Sequence, residues 1–162
     1  MQQPPPPANW APPIQTGPAP GVNYGGAGAR LVAYIVDGFI MGLLYLVFFI
    51  VGGILVAVVG SSSTGAGAVV FLVVFLVAAV VLLAWKPYFW SHGGQTPGYR
   101  MLRLRVVREI DGGPLSTGQA VGRLFGYLIS GMVFDLGFIW VLIDSRRQGW
   151  HDKLANTVVI EA

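Results

Sequence analysis

Cysteine is absent from the 162-residue chain, which excludes disulfides, thiolate metal sites and a lipid-anchored N-terminal cysteine. Charge is scarce as well. Asp, Glu, Lys and Arg make up 10% of the residues, against about 25% in soluble domains. Hydrophobic residues make up 54%. That balance excludes a soluble fold, and the length accommodates one membrane domain. Residues 1–29 contain no Lys or Arg and no apolar run. A cleavable leader is therefore not expected, and the first membrane helix would be its own insertion signal. The only histidines are His92 and His151, and neither has a ligand-spaced partner. Neither a metal site nor a cofactor is expected. No phosphate loop and no dinucleotide fingerprint occurs.

What the chain does have is hydrophobic length. Between Arg30 and Lys86 lie 55 residues, of which Asp37 alone is charged. A crossing takes about 20 apolar residues, so two are expected, over about 31–59 and 69–90. The uncharged run Gly60 to Ala68 reads as the loop between them. Trp85, Lys86, Tyr88, Phe89 and Trp90 mark a water interface, and Pro87 is expected to help end the helix. A third apolar stretch, 120–143, contains Arg123, Asp135 and Trp140. Ser116 or Thr117 can cap its first helix.

The positive-inside rule puts the loop bearing Lys86, Arg100, Arg103, Arg105 and Arg108 in the cytoplasm, together with the N-terminal tail. Arg146, Arg147 and Lys153 favour the cytoplasm too, and a full third crossing would export them. The 24 residues of the third stretch are too few for two crossings at about 1.5 Å per residue. The expectation is a segment that dips in and returns, broken near Gly131 or Gly137. The alternative is a plain third crossing with an external C-terminus.

Leu102, Leu104 and Val106 alternate with Arg103 and Arg105, which reads as a strand. Asp111-Gly112-Gly113-Pro114 is a turn. Thr157 to Ile160 is a second β-branched run, expected to pair with the first at the membrane surface. The fold class is thus an all-α membrane protein. It has two full transmembrane helices, a third broken or re-entrant membrane segment and a small cytoplasmic β element. Residues 1–29, with the run Pro4 to Pro7, read as a disordered tail of polyproline II character. That tail is either a ligand for an SH3-like groove or simply solvated. Residues 30–162 form the membrane domain.

Arg30 and Asp37 stand seven apart, on one helical face with Tyr34 between them. Gly38 and Gly42 follow as a GxxxG pair, which lets another helix approach closely. An intramembrane carboxylate is costly and is paired, neutralised or used. Asp37 either binds a cation or proton, or bonds to a structural partner such as Arg123. Asp144, Arg146, Arg147, His151, Asp152 and Lys153 form a charged cluster. His151 and Asp152 as an acid–base pair lack a nucleophile, so an enzyme is not expected. The reading preferred here is structural, with carboxylates pairing to basic residues and holding the C-terminal segment at the surface. The basic loop needs no nucleic acid, because the anionic lipid surface is the nearer polyanion.

These residues resemble the RDD family of bacterial membrane proteins, named for one Arg and two Asp. The matching stretches are Gly28-Ala29-Arg30-Leu31 through Asp37, GQTPGYRMLRLRVV from Gly94, and RRQGWHDKLANTVV from Arg146. The resemblance covers about residues 28–160. It implies that Arg30, Asp37 and Asp152 are the family residues, with Tyr99 where the family often has Lys, and that the protein is a multi-pass plasma-membrane protein. Two functions are in view. One is transport of a small solute or ion, proton- or sodium-coupled through Asp37, with Arg30 and Asp152 gating or pairing at the cytoplasmic mouth, in a homo-oligomer, since the chain is too small to enclose a pathway alone. The other is a non-transporting scaffold or accessory subunit that recruits a membrane partner through its Pro-rich tail.

Overall fold

The computed structural model describes residues 17–19 and 21–162. Two long apolar helices dominate: α1 (Ala27–Ser62) and α2 (Thr64–Ser91), with mean hydropathies of 2.8 and 3.2 over their most apolar stretches. Hydrocarbon offers no water to backbone groups, so even the Val-rich α2 is helical. The two pack antiparallel. Tyr45 Oη donates to the carbonyl of Ala78 at 2.8 Å, and a Cβ on Gly67 would stand 2.8 Å from Gly60 Cα. Large apolar side chains on the outer faces, among them Phe39, Phe49, Phe71 and Phe75, are exposed on the chain itself. Lipid is the solvent that suits them.

Two local expectations are corrected. The loop expected over Gly60 to Ala68 shrinks to Ser63, which is extended and accepts from the backbone N–H of Ala66. Small residues let the helices close tightly, so helical bonding continues almost to the tip. Pro87 does not end α2, which runs on to Ser91. A proline removes one N–H without forbidding the next turn. Here Tyr88 O accepts from the His92 N–H, and the Ser91 hydroxyl donates to Pro87 O.

A polar cap covers the end of the hairpin where α1 begins and α2 finishes. It contains α3 (Pro97–Met101), β1 (Leu104–Arg108), α6 (Trp150–Leu154) and β2 (Thr157–Glu161). The strands pair antiparallel, with Val106 opposite Val159, as their alternation led one to expect. Trp90, Tyr99, Leu104, Val106, Leu115, Ala120 and Val159 form the core beneath, against Ala33 of α1. The tail expected over 1–29 gives way to order earlier. Tyr24 bridges Ile160, and α1 starts at Ala27. The run Pro4 to Pro7 lies outside the described residues.

The third apolar stretch folds as α4 (Thr117–Met132), α5 (Leu136–Ile139) and a 3₁₀ turn (Trp140–Leu142), bent by 112° at the break. A capping box between Ser116 and Gln119 starts α4. Ala120, Arg123, Gly126 and Ser130 face inward, while Val121, Phe125, Leu128, Ile129 and Met132 are exposed. Because β1 and β2 pair at one end of the hairpin, the chain between them must leave and come back. The segment therefore turns back, with both of its ends at the cap end of the hairpin. Its break falls at residues 133–135, with Phe134 and Asp135 at positive φ (50° and 58°), rather than at a glycine. Gly137 instead packs its backbone against Ser130.

Candidate functional site

The Arg and Asp residues named above form a buried frame between α1 and the cap. Asp37 is 2% exposed. Its carboxylate accepts from Thr96 Oγ1 at 2.6 Å and from the backbone N–H of Gly98 at 2.8 Å. Thr96 also caps α3 by accepting from the Tyr99 N–H. Asp37 thus fastens the first turn of α3 to α1. Gly98 is required for the approach, since a side chain there would run into the Ala33 carbonyl of α1.

Asp152 is the second fastening, fully buried. Its Oδ2 pairs with Arg30 Nη1 at 2.8 Å and its Oδ1 with Arg123 Nη1 at 2.6 Å. It also accepts from the Gly149 N–H. Arg30 reaches onward to the carbonyls of Gly25 and Val159. Arg123 donates to Thr157 Oγ1 at 2.7 Å and lies 4.9 Å from the centre of the Trp90 ring. One carboxylate therefore ties α1, α4, α6 and β2 together. Burial alone would raise the Asp152 carboxyl, but Arg123 and Arg30 hold it well below the usual carboxylate range.

Arg123, considered above as a partner for Asp37, pairs with Asp152 instead, because it projects from α4 toward β2 and α6. His151 is buried against Tyr127 and Phe138, with ring centres 4.3 and 5.1 Å away. Burial pushes its imidazole down to about 3, against the pull of Asp152. It is neutral near pH 7, so its 3.4 Å contact with Asp152 is not an ion pair there. Asp144 takes Lys153 Nζ at 2.5 Å and the backbone N–H groups of Arg146 and Gln148. Burial would raise its carboxyl, but these partners lower it. Arg146 pairs with Glu109 at the surface. Gly38 and Gly42 are exposed, and among the described residues no other part of the fold lies within 4 Å of where their Cβ atoms would stand. Gly52, Gly60 and Gly67 line the α1–α2 contact instead.

Beside this frame lies a cavity of about 280 Å³ whose lining includes Arg30, Tyr34, Tyr99, Tyr127, Asp135 and Phe138. The Lys86 ammonium stands 4.4 Å from the Tyr34 ring centre and 4.2 Å from that of Tyr127. It has no carboxylate within ion-pair distance among the described residues. The aromatic wall was not legible as a unit, because its residues come from four separate stretches. The only prior signal was the presence of Lys86 and Asp135 inside apolar runs.

Fold and frame together define a small integral membrane protein. Its hydrophobic hairpin carries a polar cap clamped on by buried Arg and Asp. The chain belongs to the RDD family, whose model matches residues 24–156. It is similar to the uncharacterized protein YxaI of Bacillus subtilis (strain 168), 40% identical over 65 residues, covering 40% of this chain and 42% of that protein. It is also similar to the proline-rich antigen of Mycobacterium leprae (strain TN), 28% identical over 85 residues, 49% of this chain and 34% of the relative. A third relative is the uncharacterized protein RP437 of Rickettsia prowazekii (strain Madrid E), 28% identical over 82 residues, 51% and 45% of the two chains. The chain thus matches less than half the length of each of these relatives. No solved structure matches it.

Proposed function

We propose that the protein moves a small solute or ion across the plasma membrane, and that the solute binds in the cavity beside the frame rather than at Asp37. The observation behind this reading is that cavity. It lies between the first turns of α1 and the α4–α5 bend, and its walls combine aromatic rings with charged groups. Small-molecule sites have this mixed character. Asp37 and Asp152 are fully engaged in holding the cap, which argues against either as the carrier. Two full helices enclose no pathway alone, so a homo-oligomer completes the route, with both termini in the cytoplasm.

The test is flux into proteoliposomes for a panel of monovalent cations, amines and small acids, comparing wild type with Tyr127→Leu. Uptake above protein-free vesicles, reduced in the cavity variant, is expected. No flux of any solute would refute transport. A second reading, the scaffold, draws support from the run Pro4 to Pro7 and from relatives named proline-rich antigen. It requires a partner that binds the full chain and is released when residues 1–20 are removed.

A further inference from the structure

One carboxylate of the third apolar segment stands without a partner, Asp135. Its side chain makes no hydrogen bond and no ion pair among the described residues. It stands at the bend between α4 and α5, flanked by exposed Val133, Phe134 and Leu136. The side chain is exposed, and it lines one cavity with Arg30 of the first turn of α1 and with Tyr99 and His151 of the cap. An unpaired carboxylate beside aromatic faces offers a counter-charge to a bound cation. Phe134 and Asp135 also both hold left-handed backbone, a strained arrangement of the kind that gathers at ligand sites.

The groups around Asp135 define what it would take. Tyr34, Tyr99, Tyr127 and Phe138 line the cavity with it. Aromatic faces attract cations, and two of these rings already hold an ammonium, that of Lys86. His151 lines the same cavity, and its buried Nδ1 has no partner among the described residues. With Nε2 turned to Asp152, Nδ1 is left as a lone-pair acceptor. Asp152 is shared between Arg30 and Arg123, so Asp135 is the one carboxylate that lines the cavity. A carboxylate, aromatic faces, one neutral acceptor and apolar wall from Leu31 and Val141 fit a primary organic ammonium ion with a short apolar tail. A bare alkali ion would use the carboxylate alone and gain little from the rest.

We infer that the cavity binds a small primary ammonium ion, with Asp135 as its counter-charge and Lys86 as a tethered internal competitor for the same rings. This rests on the placement of the solute site proposed above and names its ligand class and carboxylate. The experiment is calorimetric titration of the detergent-solubilised full chain with n-butylammonium, with sodium as comparator and empty micelles as blank. Wild type should bind butylammonium saturably and sodium at least tenfold more weakly. Asp135→Asn should weaken butylammonium at least tenfold, with its thermal melt unchanged because the side chain bonds to nothing among the described residues. Lys86→Gln should tighten it, a gain that misfolding cannot imitate. Absence of saturable binding, equal affinity for sodium, or binding indifferent to Asp135→Asn would each overturn the inference. Binding without flux of any solute would uphold the ligand site and refute transport. Flux of another solute through Tyr127, with no butylammonium binding, would do the reverse.

Discussion

Replacing Asp152 by Ala removes the one carboxylate that serves two buried guanidinium groups. The Asp152 and Arg123 side chains are 0% exposed and that of Arg30 is 8% exposed. Removing one partner of a buried pair costs about 3–5 kcal/mol, because the other charge is left uncompensated. Here two charges are stranded, and the Gly149 N–H loses its acceptor as well. The upper end, about 5 kcal/mol, is therefore expected. For a chain of this length that corresponds to roughly 10–20 °C in melting temperature. The control is Asp111→Ala, which breaks a pair with Arg108 whose side chains are 38% and 48% exposed. Exposed pairs contribute at most about 1 kcal/mol. Thermal unfolding in detergent, followed by tryptophan fluorescence, separates the two variants. An Asp152→Ala protein melting within about 3 °C of wild type, less than roughly 1 kcal/mol of change, would refute the argument that this carboxylate clamps the cap.

Asp37→Ala should release α3 from α1, since it removes both acceptors of Thr96 and Gly98, at about 1.5–3 kcal/mol for each bond to a charged group. Limited proteolysis should then cut within residues 94–103, and a wild-type digestion pattern would contradict this. Gly98→Val should reduce folded yield, because the new side chain meets the Ala33 carbonyl. Normal yield and melting temperature would count against the close packing of α3 on α1. Stability should fall with acid. His151 has its folded value lowered to about 3, against about 6.5 when free. The unfolded chain therefore takes up a proton that the folded chain refuses, so this stabilisation is complete above about pH 6.5 and is lost as pH falls toward 3. Asp152 and Asp144, also lowered, add to the loss only below about pH 3.9. Melting temperatures should drop between pH 7.5 and 5, and His151→Gln should flatten that drop. A flat wild-type profile would show that His151 is not held neutral.

Hydropathy and alternation made the large features legible. The 55 nearly uncharged residues after Arg30 could only be two crossings, and the alternation from Leu102 to Val106 announced the strand that pairs with residues 157–161. The return of the third segment followed from charge, because Arg146, Arg147 and Lys153 share a sign and a side with the central loop. Of the pairings inside the frame, Arg30 with Asp152 was in view, and those of Asp37 and Arg123 were less accessible. Arg30 and Asp37 share a helical face, yet each reaches a different part of the cap, Asp152 and α3 respectively. Sequence separation hides such contacts, which depend on where the cap docks. The break was expected near Gly131 or Gly137, and it falls between them, on Phe134 and Asp135 rather than on a glycine. The Gly38–Gly42 pair shows the converse difficulty. A motif that permits close packing does not say which helix will use it.

The central claim is that Arg30, Asp37 and Asp152 hold the cap on the membrane hairpin. Hydrogen exchange on Asp152→Asn tests it most directly, read at the amides of β1 (104–108) and β2 (157–161) in detergent. Loss of the charge should leave Arg30 and Arg123 uncompensated and deprotect both strands together, while the exchange of α2 between residues 69 and 85 stays as in wild type. Unchanged protection of both strands would mean that the cap stands without its carboxylate, and the frame would lose its structural role.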